Sequence, residues 1–198
     1  MLSFESDYNN GAHPVVLQHL VETNDFTSLT YGFDQWSVAA REKIRIATEC
    51  PNADVFFLNG GTKVGALCGE AVVFPRGNAP KHFFNTIKRH GALSAKGRTI
   101  GVQFGALFTN NLYLTIAQHA IKMAMRLKKT FLAKGYQMYI DSPSNQQFVV
   151  IPNEKVAQLA QKVEFSIWDP FDQNSKICRF VTSWATTEQQ MNELESYL

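Results

Sequence analysis

The 198 residues, 45% hydrophobic, 12% aromatic and 18% charged, have the make-up of a globular chain long enough to bury a core, which excludes disorder and fibrous repeats. Nineteen Lys and Arg against seventeen Asp and Glu leave a formal charge of +2. That basic excess is far too small to exploit counterion release, so no nucleic-acid partner is expected.

In chain order, His13-Pro14 opens the apolar pattern Val15, Val16, Leu17, Leu20, Val21, and proline at the first helical position predicts a short helix to about Thr23. Thr27 to Gln35, with Tyr31-Gly32-Phe33-Asp34, reads as an ordered loop. Ser37 can then cap a helix to about Glu49 with the face Val38, Ala39, Ile44, Ala47. Val55-Phe56-Phe57-Leu58, bounded by Pro51 and Gly60-Gly61, predicts a buried strand, and Val64 to Phe74 is strand material broken by Gly65 and Gly69. Pro80 starts a helix over Lys81 to His90, and Gly91 to Gly97 is a small-residue loop. Helical spacing runs from Arg98 to Ala133 with a bend at Asn110-Asn111, and Gly135 closes it. Strand, strand, helix, strand and helix follow over Tyr136–Ile140, Phe148–Ile151, Glu154–Lys162, Ile177–Ser183 and Thr187–Tyr197. A domain boundary is expected near Gly97, giving 1–97 and 98–198.

The start, MLSFESDYNN, carries acids and no apolar core, and the longest apolar stretches are interrupted by Glu70, Lys122 and Arg126. A cytoplasmic protein with no secretory signal and no membrane partner is expected. Cys50, Cys68 and Cys178 are odd in number and lack paired spacing, as for reduced core thiols, and no metal site is expected.

Three stretches can carry chemistry. Asn59-Gly60-Gly61-Thr62-Lys63-Val64-Gly65 offers a tight glycine turn, exposed N–H groups and a hydroxyl for an anion, with one lysine beside them; the Walker spacing fails, and a plain turn with a surface lysine is the alternative. In Ile177-Cys178-Arg179-Phe180-Val181 a single arginine sits within an apolar strand, where its planar donor fork suits the carboxylate of an amino-acid or keto-acid substrate, or a structural partner such as Asp169. Ser6-Asp7-Tyr8-Asn9 either donates to a ligand oxygen from Ser6 or forms a local turn. The histidines show no metal-like or nucleophile–base pairing, and Lys122, Arg126, Lys128, Lys129 and Lys134 read as a solvated helix face.

Taken together, SFESDYNNGAHP, YGFDQWS, NADVFFLNGGT, GGTKVGALCGEAVVF, GALSAKGR, SNQQF and RFVTSWATTEQ resemble the low-specificity L-threonine aldolase family of fold-type-I pyridoxal-phosphate enzymes, from end to end. In that family a first glycine-rich turn after VFFL begins a phosphate-binding helix, and a later GGTK carries the cofactor lysine. Here one Gly60-Gly61-Thr62 serves both, and the stretch between is absent. With it go the ring-stacking histidine, a second histidine near the substrate hydroxyl, and the Asp-Gly-Ala-Arg segment whose Asp pairs with the ring nitrogen.

The resemblance implies an α/β fold of the PLP-transferase (aspartate aminotransferase) type, with a truncated large domain and a small C-terminal α/β domain. It implies pyridoxal 5'-phosphate as cofactor, cleavage of L-threonine or a related β-hydroxy-α-amino acid to glycine and an aldehyde, and a homo-oligomer, dimer or tetramer. Residue by residue, it makes Lys63 the Schiff-base lysine, Arg179 the clamp on the substrate α-carboxylate and Ser6 a further donor to it. Gly60, Gly61 and Thr62 contact the phosphate, Tyr31 lies near the active site, and Lys96 faces the phosphate of a neighbouring subunit. The alternative is a non-catalytic internal-deletion remnant that binds anions or PLP, or associates with full-length subunits.

Overall fold

The computed structural model describes residues 1–60 and 65–198. Its strands are β1 (Leu2–Ser3), β2 (Asp54–Leu58), β3 (Glu70–Phe74), β4 (Gln137–Met138), β5 (Gln146–Pro152), β6 (Val163–Glu164), β7 (Ser166–Pro170) and β8 (Ser175–Val181). Its helices are α1 (Pro14–Glu22), α2 (Gln35–Ala47), α3 (Phe83–Arg89), α4 (Arg98–Leu107), α5 (Leu112–Ala133), α6 (Asn153–Leu159) and α7 (Glu188–Tyr197). The chain forms two compact units, one of Met1–Asn10 with Thr115–Leu198 and one of Gly11–Leu114. Gly97, the boundary expected from sequence, is the N-cap of α4 within the second of these.

In the Gly11–Leu114 unit, α1 and α2 pack on α4, which is apolar nearly all round and buries Ile100, Val102, Phe104, Ala106 and Leu107. α4 approaches α2 so closely at Gly101 that a Cβ there would lie 2.2 Å from Ser37 Oγ and 2.6 Å from Ser37 Cα. Ser37 is therefore not the cap of α2. Asp34 is: its Oδ1 accepts from the Ser37 N–H at 2.8 Å and its Oδ2 from the Ser37 hydroxyl at 2.8 Å, leaving Ser37 buried against the glycine.

β2 and β3 pair antiparallel as a two-stranded ribbon. The continuous apolar run of β2 predicts burial on both faces, but its residues alternate half-buried and buried, because only one face meets the core of Ala40, Ile44, Ile100 and Phe104. On the outer edge of β2, Arg41 Nε donates to the Val55 carbonyl at 3.0 Å and Arg45 Nε to the Ala53 carbonyl at 2.8 Å. An arginine pair from α2 thus covers that edge in place of a third strand.

In the other unit, β4-β5-β8-β7 form an antiparallel sheet. One face buries Val149, Ile151, Cys178 and Phe180 with Met123, Leu127 and Phe131 of α5 and with Met191 and Leu194 of α7. α7 begins in a capping box, with Thr187 and Gln190 satisfying each other's backbone donors. The bend expected at Asn110-Asn111 separates α4 from α5, both residues taking positive φ.

The sequence reading contained no strand at β1, β6 or β7. β1 pairs parallel with β6, and the chain continues so that Phe4 N–H donates to Glu164 and the Phe4 carbonyl accepts from Val181. β7 carries the turn signal Asp169-Pro170 but forms the edge strand beside β8, where proline is tolerated. Among the described residues no helix is long and apolar enough to cross a membrane.

Candidate functional site

β8 sits inside its sheet, and the register sets Arg179 opposite Phe148 of β5 on one side and Ser166 of β7 on the other. Because side chains alternate, Arg179 projects from the face opposite Cys178 and Phe180, away from the core. Its Nη2 donates to Ser166 Oγ at 3.1 Å and to the Glu5 carbonyl at 3.4 Å, and its guanidinium carbon lies 5.3 Å from the centre of the Trp168 ring. Its Nε is buried and without a hydrogen-bond partner. Among the described residues no carboxylate forms an ion pair with Arg179, so the structural partner Asp169 considered from the sequence does not hold it. An unpaired buried donor on a permanent cation costs of order 1–3 kcal/mol.

Ser6 is brought near by the same strand addition that seats β1: Glu5, whose carbonyl accepts from Arg179, is its chain neighbour. Its hydroxyl caps a short 3₁₀ turn over Asp7–Asn9 by accepting from the Tyr8 N–H at 3.1 Å, and Asp7 receives the Asn145 amide at 3.0 Å. Ser6 and Arg179 therefore lie in one unit. Ser166, which the sequence reading missed, supplies the side-chain hydrogen bond that Arg179 makes.

The other candidates belong to the Gly11–Leu114 unit. Gly60 lies two residues beyond β2 and is exposed, and a Cβ built on it would lie 3.5 Å from a carboxylate oxygen of Glu70. Gly61, Thr62 and Lys63 lie outside the described residues. The backbone that follows is fixed by the buried Gln103, whose Oε1 accepts from Leu67 N–H at 2.7 Å and Cys68 N–H at 3.2 Å. Tyr31 takes positive φ, donates its N–H to the Ala95 carbonyl at 3.0 Å and has Lys88 Nζ 5.1 Å from its ring centre. Its neighbour Gly32 packs so tightly on Gly97 that a Cβ on Gly97 would come within 2.3 Å of the Gly32 nitrogen. This contact fixes the Tyr31 loop beside Lys96, which is exposed.

A cavity of about 330 Å³ in the same unit is lined by Ile44, Val73, Phe104, Leu107, Phe108 and Tyr113 among others, and holds none of the candidate residues. The three cysteines are free, as expected, but only Cys178 is a core thiol, Cys50 and Cys68 being half-buried. Burial pushes the Cys178 thiol up to about 11, which keeps it protonated and unreactive. The basic face of α5 is tied down in part: Arg126 pairs with Glu188 and Glu195 of α7, and Lys128 pairs with Asp141.

No family profile matches the sequence. No curated protein matches it either. Among solved structures, the threonine aldolase of Leishmania major superposes with a TM-score of 0.93 over 99% of this chain and 98% of that one, at 20% sequence identity. A serine palmitoyltransferase from Sphingomonas wittichii gives a TM-score of 0.48 over 73% of this chain and 38% of that one, at 13% identity. The fold is thus the α/β fold of the PLP-dependent transferase type, shared end to end with a threonine aldolase, in agreement with the resemblance carried by the sequence motifs.

Proposed function

We propose that this chain is a threonine-aldolase-type protein that recognises the α-carboxylate of a β-hydroxy-α-amino acid at Arg179, with Ser6 as a further donor. The observation that carries this reading is the half-buried guanidinium with no acidic partner among the described residues, in a chain with the fold of a threonine aldolase. Arg179 supplies a planar fork for the carboxylate, Ser166 and the Glu5 carbonyl fix that fork from one side, and the sheet register keeps it in place.

The resemblance assigns the cofactor to Lys63, with Gly60, Gly61, Thr62 and Lys96 toward its phosphate and Tyr31 near the substrate. Pyridoxal phosphate, when bound, supplies an electron sink for the carbanion left as a Cα–Cβ bond breaks. The residues present fit the carboxylate end and not the ring end. The chain has no Asp-Gly-Ala-Arg segment for the ring nitrogen. That mismatch favours the second reading, a non-catalytic remnant that retains carboxylate binding.

One experiment separates the two. Purified chain is mixed with pyridoxal phosphate and L-threonine, and glycine release, a visible lysine-bound cofactor band and its capture by borohydride are followed in wild type and Lys63→Ala. Glycine release and a band that both vanish in Lys63→Ala establish a lyase acting on L-threonine. Saturable L-threonine binding without either establishes the remnant. We infer further that the protein is a cytoplasmic homo-oligomer; the oligomer reading is supported by β3, which among the described residues pairs with β2 alone and leaves its other edge for a second copy.

A further inference from the structure

The outer face of the β4-β5-β8-β7 sheet carries an aromatic pair that the carboxylate reading does not use. The β7–β8 register shifts between Ile167 and Asp169, so that Ile167 faces Cys178, Asp169 faces Ile177 and Trp168 is the extra, unpaired residue of a bulge. Bulges re-aim side chains, and here the ring lies over the Arg179 guanidinium at 5.3 Å although the residue is 56% exposed. Phe148, the register partner of Arg179, meets the indole edge to face at 5.4 Å and 78° and braces it.

We propose that Trp168 is the positioning residue of the carboxylate clamp, a role that rests on the reading of Arg179 given above. The physical reason lies in what kind of partner holds the cation. An aspartate or glutamate beside Arg179 would fix the guanidinium but neutralise it and compete with the ligand. An aromatic face fixes the same plane through its quadrupole while leaving the full charge for an incoming carboxylate. Ser166 and the Glu5 carbonyl are likewise uncharged, so every group holding Arg179 orients it without cancelling it.

The test is L-threonine binding to the full chain by calorimetry, with L-threoninol, which lacks the carboxylate, as the control probe. Trp168→Leu should weaken L-threonine about fivefold, Trp168→Phe should restore it to within about twofold, and L-threoninol should bind all three proteins alike. Tryptophan emission should change on adding L-threonine to wild type and stay constant in Trp168→Phe, where Trp36 and Trp184 remain. If Trp168→Leu binds L-threonine as wild type does while Arg179→Gln loses it, the role of Trp168 is overturned and the carboxylate reading stands. Equal loss in the Phe and Leu variants, with L-threoninol weakened in parallel, marks a merely structural ring and also overturns it. If Arg179→Gln binds as wild type, or wild type shows no saturable binding, the carboxylate reading falls and the proposal with it.

Discussion

The central strands β5 and β8 and the strands of the β2-β3 ribbon are comparably apolar, yet the inner face of the first pair is packed against α5 and α7 while the ribbon has one half-buried partner strand and an arginine-covered edge. β5 and β8 hold seven buried hydrophobic residues between them, Val149, Val150, Ile151, Ile177, Cys178, Phe180 and Val181, whereas every residue of β3 is half-buried. A two-stranded ribbon is marginal on its own, and its persistence here depends on the side chains of α2 and α4 rather than on ladder hydrogen bonds. Apolar composition alone therefore does not tell how firmly a strand is held; the number of faces covered does.

This contrast can be broken most sharply in the larger core. Phe180→Ala, at a fully buried ring stacked on Phe165 and tilted against Phe131, should cost about 3–5 kcal/mol in a denaturant titration. A cost below about 1 kcal/mol would mean that the sheet is far looser than its burial indicates. Next, Gly101→Ala should destabilise by about 1–3 kcal/mol, because the added methyl meets Ser37 backbone as well as its hydroxyl; an unchanged thermal midpoint would show that α2 and α4 separate freely. Thr187→Ala removes half of a capping box and should cost about 1 kcal/mol, readable as faster amide exchange in the first turn of α7. The smallest effect is expected from pH. The folded Cys178 thiol ionises near 11, above the unfolded value of 9.0, so its contribution is fully present below 9.0 and is lost as pH rises toward 11. Cys178→Ala should flatten that alkaline decline.

Much of the helical skeleton is legible in the sequence because its signals are local. Pro14 at the start of α1, the 3.6-residue spacing of α5 and the paired asparagines at the bend each act over a few residues. β1, β6 and β7 are not legible for the converse reason. The two-residue strands β1 and β6 have no period to detect, the pairing of Leu2 with Val163 depends on chain segments 161 residues apart, which no local pattern encodes, and the five residues of β7 are bulged and do not alternate in burial. The site divides in the same way. Arg179 stands out as a cation inside an apolar run, but Ser166 and Trp168 sit in a stretch to which the sequence assigns no element and become neighbours of Arg179 only through the register of β7 on β8. The Asp34 cap was hidden by Ser37, an equally good capping residue three positions on, which packing against Gly101 reserves for the core.

The pairing of β1 with β6 has a consequence for how the protein is made. Residues 2–4 have no ladder partners until residues 163–181 leave the ribosome, whereas the Gly11–Leu114 unit finds its core among residues synthesised well before them. At ordinary elongation rates of about 5–20 residues per second, the first strand waits on the order of ten seconds before it can be sheltered. Its short length and the acidic residues Glu5 and Asp7 that follow it disfavour pairing with a wrong partner during that wait.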